Sequence, residues 1–305
     1  MSFDLYFAWR KRERIDFNEV VRWSEQIANF TRNPAQLWYK NALTGVYFSI
    51  DFDDGPPKPE GEGIDVADGY FDTALSFNLN FIRPSYFAFE AMPVIEQLVS
   101  KFGLYVINPQ DHETGPASGR GVTAEALIRS WLQSHERAIL MLLEHSASAR
   151  PFAMPAPASL YLRRYQKSKT DLERSCGEDI FVPSLLAARR KSDSVVGRAI
   201  TYTESLPTIV PECEWVFLVR RKKGLLQSKK DADVSVISSA TFRQALETCL
   251  KPFTWQSAAV EIIEPKSAAS AGRIISRIER TIPKTEFEVV ALDSFIDVEV
   301  AAPAS

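Results

Sequence analysis

The residues with the plainest capacity for chemistry are carboxylates. Asp51, Asp53, Asp54, Glu60, Glu62, Asp65, Asp68 and Asp72 share a short span with Gly55, Pro56, Pro57, Pro59, Gly61, Gly63 and Gly69. Hard cations take oxygen ligands, so Asp51, Asp53 and Asp54 could hold a metal for hydrolysis of phosphoesters or nucleic acid. The spacing does not follow a calcium-binding helix–loop–helix, and no glycine-rich phosphate loop accompanies it. Glycine and proline at this density make an exposed loop. Such a loop has another use, because its charge steers a basic partner and speeds encounter. On that reading Asp53, Asp54, Glu60, Glu62 and Asp65 are rim charges, with Tyr47 and Asp51 on the adjoining strand.

Other reactive side chains do not converge. The histidines are His112, His135 and His145. The last two are separated by roughly 280° around a helix and share no face. A serine–histidine–aspartate set has no Gly-x-Ser-x-Gly elbow to anchor it. Cys213 lies between Glu212 and Glu214, which oppose thiolate formation. Cys249 falls on an apolar helix face and reads as core. Basic runs at Arg163-Arg164, Arg189-Arg190-Lys191 and Arg220-Arg221-Lys222-Lys223 all lie in the second half. They offer a patch for phosphate or nucleic acid. The simpler reading is solvated turns that also guard strand edges. No cofactor motif is present, so no cofactor is expected and no catalytic residue is assigned.

Composition narrows the class. The chain has 305 residues, 45% hydrophobic and 25% charged, with a formal charge of −3. That length predicts two domains, and that charge gives no general attraction to nucleic acid or anionic membrane. The three cysteines, Cys176, Cys213 and Cys249, are scattered and odd in number, which suits reduced thiols rather than a disulfide framework. Met1 to Trp9 carries Asp4 and alternates like a strand, unlike a signal peptide. Ala138 to Leu143 is far short of the ~20 apolar residues of a membrane span. A cytoplasmic location is expected.

The elements that must position these groups are clearest from Thr44 to Ile82. Val46, Phe48, Ile50 and Phe52 alternate with polar residues, as do Leu75, Phe77, Leu79 and Phe81. A period of two buries one face of a strand and wets the other, so a long hairpin is predicted. Phe3 to Trp9 is a preceding strand. Asp16 caps a helix running to about Ala28, with Glu19 at capping-box spacing. Asn33-Pro34 reads as a stop, with residues 35–43 as a further helical turn. A helix from Ser85 to Phe102 should break or kink at Pro93 and end at Gly103. Leu104 to Ile107 is a short strand.

The order β, α, β, β, α, β is that of the ferredoxin-like sandwich, an antiparallel sheet with two helices on one face. Residues 1–110 are therefore assigned to an α+β domain of that kind. Its open face would gather Asp4, Tyr6, Tyr47, Ser49, Asp51, Ser76, Asn78 and Asn80. That face lacks the stacking aromatics and basic groups of RNA-recognition domains, so RNA binding is not expected there. The competing reading has it packed on the second domain or the next helix.

Residues 111–155 read as a linker and a long, mostly buried helix capped by Thr123. Ser146 to Ser159 is the best boundary by composition. Residues 156–305 form a second, α/β domain. Strands at Val234 to Ile237, Ala259 to Ile263 and Phe287 to Leu292 alternate with helices, giving a βαβαβ ending with partly parallel pairing.

Met1-Ser2-Phe3-Asp4-Leu5-Tyr6-Phe7, followed by Thr44-Gly45-Val46-Tyr47-Phe48-Ser49, resembles a loose group of uncharacterised bacterial proteins. Some of these look like immunity partners of polymorphic toxins. The resemblance covers the first third of the chain and transfers no functional residue. It implies a cytosolic bacterial protein that binds another protein, typically occluding a toxin; the acidic loop would make that partner a basic one. The alternatives are the metal-dependent phosphoesterase or nuclease above and a nucleic-acid-binding module using the basic second half.

Overall fold

The computed structural model describes residues 2–11, 15–53, 55, 66–110, 118–145, 151–193, 195–221, 232–255, 258–279 and 281–297. Two compact units result. Unit one gathers the residues up to Pro151 together with Ile296 and Asp297, and unit two runs from Phe152 to Phe295. Both mix helices with extensive sheet, so the protein is α+β. Among the described residues no helix is long and apolar enough to cross a membrane.

Unit one contains β1 (Ser2–Trp9), α1 (Phe17–Ser24), β2 (Phe30–Asn33), β3 (Gln36–Lys40), β4 (Tyr47–Phe52), β5 (Phe71–Asn80), α2 (Tyr86–Phe102), β6 (Tyr105–Ile107), β7 (Gly119–Arg120) and α3 (Ala124–His145). The strands form one sheet in the order β2-β3-β4-β5-β1-β6-β7. Its pairings are antiparallel. The expected hairpin is present, with Ile50 opposite Phe77.

Apolar alternation puts Phe3, Leu5, Phe7, Phe48, Ile50, Phe77 and Leu79 into the core. Burying each such side chain contributes about 1.5–3 kcal/mol. The same balance explains Pro93. An internal proline costs about 3 kcal/mol, yet α2 continues through it to Phe102. Phe87, Ala88, Met92, Ile95 and Leu98 are fully buried on that helix, and their combined burial outweighs the break. Gly103 ends it in the left-handed conformation, φ 64°.

Three expectations in unit one are corrected. The first helix stops at Ser24, not Ala28. Residues 30–40 are not helical: Phe30–Asn33 and Gln36–Lys40 are paired strands that turn at Pro34-Ala35. The long helix is also not mostly buried. Ala126, Leu127, Ser130, Trp131, His135, Ala138 and Ile139 make one inward stripe, at helical spacing. Leu140 and Met141 are each 54% exposed.

Unit two contains β8 (Phe152–Ala153), α4 (Ala156–Cys176), β9 (Leu186–Arg190), β10 (Val196–Thr203), β11 (Thr208–Val210), β12 (Trp215–Arg221), β13 (Ala232–Ser238), α5 (Ser239–Ala245), β14 (Leu250–Trp255), β15 (Ala258–Ile263), α6 (Pro265–Ile275), β16 (Ile282–Pro283) and β17 (Phe287–Val290). One sheet has the order β16-β13-β12-β10-β9-β17 and another β11-β15-β14. β10 and β12 are parallel. The βαβαβ ending is corrected, because β14 and β15 form an antiparallel hairpin in the smaller sheet. Pro252 argues against a strand when read in sequence. β14 is an edge strand, the place in a sheet where proline is tolerated.

Candidate protein-binding face

The pairing registers lay the open side of the unit-one sheet out as a grid. Asp4 stands opposite Asn78, Asn78 opposite Ser49, and Ser49 opposite Trp38. The next row runs Tyr6, Ser76, Asp51, Gln36. Four strands about 4.8 Å apart make a face roughly 14 Å wide, with rows about 6.7 Å apart. The polar residues anticipated from alternation are therefore neighbours.

Their side chains order one another. Asn78 donates to Asp4 at 2.6 Å, and Ser2 donates to the other Asp4 oxygen at 2.9 Å. Asp51 accepts from Gln36 at 2.7 Å and from Ser49 at 2.7 Å. Each carboxylate thus has both oxygens engaged while staying half-buried. Such charge-assisted bonds fix a carboxylate's direction.

One corner of the face is aromatic. Trp38 and Tyr47 stack with centroids 5.5 Å apart and planes 22° from parallel. Arg83 donates to the Tyr47 hydroxyl from Nη2 at 2.7 Å and from Nε at 3.0 Å. Asn80 donates to the same oxygen at 3.3 Å. The Tyr47 ring also meets Phe87 of α2 edge-on at 5.6 Å. The residues are half-buried and held before any partner arrives.

Of the residues singled out for partner binding, Tyr47 and Asp51 lie on this face. Asp53 is exposed at the end of β4, where it accepts from the Gly55 amide at 3.1 Å. Asp54, Glu60, Glu62 and Asp65 lie outside the described residues. Among the described residues, no three His, Cys, Asp or Glu side chains gather as metal ligands do. Trp38, Gln36 and Arg83 were missed. Gln36-Leu37-Trp38-Tyr39-Lys40 does alternate, but the preceding Asn33-Pro34 disguised it.

The basic patch is differently placed. Arg220 donates to Ile278 O at 3.0 Å and Ser235 Oγ at 2.7 Å, and pairs with Asp233 at 3.5 Å. Its charge is therefore engaged within unit two. Arg221 ends β12, and Lys222 and Lys223 lie outside the described residues. Arg189 pairs across strands with Glu288, and Arg190 pairs with Glu286 in the turn before β17.

Cys213 is buried, and burial, more than its flanking glutamates, pushes its thiol up. Cys249 is core. Arg198 is held by Glu214 at 2.7 Å and Glu212 at 3.5 Å, over the Tyr161 ring at 4.9 Å.

No known protein family matches the chain, and no curated protein or solved structure matches it either.

Proposed function

We propose that the chain acts by binding, with the open face of unit one receiving a basic protein partner. The observation that carries this reading is the Trp38–Tyr47–Arg83 corner beside Asp51. Tryptophan, tyrosine and arginine are the side chains that most often dominate protein interfaces. Here they are already ordered, so docking loses little side-chain entropy. Asp4 and Asp51 give the face its sign, and exposed Asp53 and Asp72 extend it. Complementary charge speeds encounter and excludes acidic competitors.

The biological setting that fits is a cytosolic bacterial immunity protein occluding a toxin. It is supported by the resemblance of the opening and hairpin strands. A ferredoxin-like core, enlarged by the β2–β3 hairpin and β7, is part of the same reading. Its support is the consecutive order β4-β5-β1-β6.

Affinity capture from native host lysate, followed by mass spectrometry, tests the face. Wild-type chain should retain one stoichiometric basic protein, and Trp38→Ala with Asp51→Asn should lose it. Equal recovery by both proteins would rule the face out.

A further inference from the structure

The aromatic corner is connected to the interior of unit one by a short run of contacts. Arg83, which holds Tyr47, also donates to Ile82 O at 2.9 Å. Ile82 has φ 57°. L side chains rarely adopt that conformation, branched ones least of all, so neighbours must hold it there. One such neighbour is His135 on α3: the Ile82 amide donates to His135 Nδ1 at 3.3 Å.

That bond needs Nδ1 as an acceptor, which places the neutral ring's proton on Nε2. His135 is 2% exposed and stacks on Trp131 at 4.5 Å. Neither His135 Nε2 nor Trp131 Nε1 has a hydrogen-bond partner among the described residues. A second proton would turn Nδ1 into a donor facing another donor.

Among the described residues no charge offsets this, and burial is what acts on the ring. Arg83, from the β5–α2 connection, is engaged by Tyr47 and Ile82 O. Glu90 of α2 accepts from Tyr39, Asn41 and Thr44. Asp297, from the C-terminal segment, accepts from Ser85. On α3 itself Glu136 and Arg137 are exposed.

We propose that His135 is a pH-responsive positioning residue: neutral, it holds Ile82 left-handed and keeps Arg83 on Tyr47; protonated, it releases both and loosens the Trp38–Tyr47 corner. The regulatory meaning rests on the corner being the binding face, whereas the coupling itself does not. Burial alone pulls the imidazole down to about 4, so the release belongs to acid conditions.

Fluorine NMR of the full chain carrying 5-fluorotryptophan tests this without any partner. The Trp38 and Trp131 signals are assigned by Trp→Phe substitution and followed as pH falls. Both should shift with one midpoint near pH 4, while the Trp215 and Trp255 signals of unit two stay in place. His135→Asn supplies an amide oxygen near the Nδ1 position without a titrating group, and there the Trp38 shift should vanish. The proposal is overturned if Trp131 titrates while Trp38 does not move. It is equally overturned if the Trp38 shift survives in His135→Asn, or if all the signals collapse together. If His135→Asn does not fold, the wild-type midpoints of Trp38 and Trp131 decide the matter. Failure of the lysate capture would leave these shifts unchanged, so the two readings fail separately.

Discussion

Asp297 lies 212 positions beyond Ser85, yet its two carboxylate oxygens accept from the Ser85 amide at 2.7 Å and the Ser85 hydroxyl at 2.6 Å. Ser85 makes no side-chain cap of its own at the start of α2. A carboxylate there answers orphan amides and the positive end of the helix dipole. At 4% exposure it does so away from water. Asp297→Ala should therefore destabilise unit one by about 1–3 kcal/mol. The check is a lowered denaturation midpoint, with Asp293→Ala, whose carboxylate accepts from the adjacent Ser294 hydroxyl, as the unchanged control.

Gly272 packs against the turn at Ser205 in unit two. A Cβ at Gly272 would collide with Ser205 Oγ and come within 3.0 Å of Ser205 N. Ser205 has φ 62°, a conformation that suits glycine. Gly272→Ala should cost about 1–3 kcal/mol by overpacking. Adding Ser205→Gly removes the colliding hydroxyl and relieves the turn. The double variant should recover most of the lost thermal midpoint, and additive losses would show that the turn is not the cause.

The part of unit one that could be read in advance is the part built on local alternation. The Val46–Phe52 and Leu75–Phe81 repeats specify both the buried side and the polar side, so the grid of Asp4, Ser49, Asp51 and Asn78 followed. Gln36–Lys40 escaped because a proline beside a short strand looks like a helix stop, and Leu250–Trp255 because Pro252 sits inside it. Arg83 on Tyr47 and Asp297 on Ser85 had no signal at all. They depend on where the chain returns, which periodicity does not encode. The buried stripe of α3 was visible as apolar spacing, but Ile128, Leu132, Leu142 and Leu143, which are only half-buried, made the helix look mostly buried.

Glu90 holds the β3–β4 turn onto α2. A single oxygen accepts from Tyr39 Oη at 2.9 Å, Asn41 Nδ2 at 2.6 Å and Thr44 Oγ1 at 3.1 Å. The Tyr39 hydroxyl is pushed up to about 12, first by burial and then by the Glu90 charge. Glu90→Gln keeps an acceptor but removes that charge. Tyr39 should then ionise at lower pH, though still above 10, because burial persists. Difference absorbance titration against Tyr39→Phe measures it. A folded-state value raised above the unfolded 10 gives stability that is complete below pH 10 and lost as pH rises through about 12. Glu90→Gln should narrow that window.

His135 makes the opposite contribution at acid pH. Burial depresses its imidazole from 6.5 to about 4. Between those values the unfolded chain binds a proton that the folded chain refuses. The stability is therefore complete above pH 6.5 and lost as pH falls through about 4. Each tenfold difference in proton affinity between the folded and unfolded chain is worth about 1.4 kcal/mol, so the loss approaches roughly 3 kcal/mol. Carboxylates add their own acid dependence, so the informative quantity is a difference. Denaturant midpoints measured from pH 8 to 4 should fall more steeply for wild type than for His135→Asn below pH 6.5, and the two curves should run parallel above pH 7. Equal slopes across the whole range would mean that His135 is not held neutral by its burial beside Trp131.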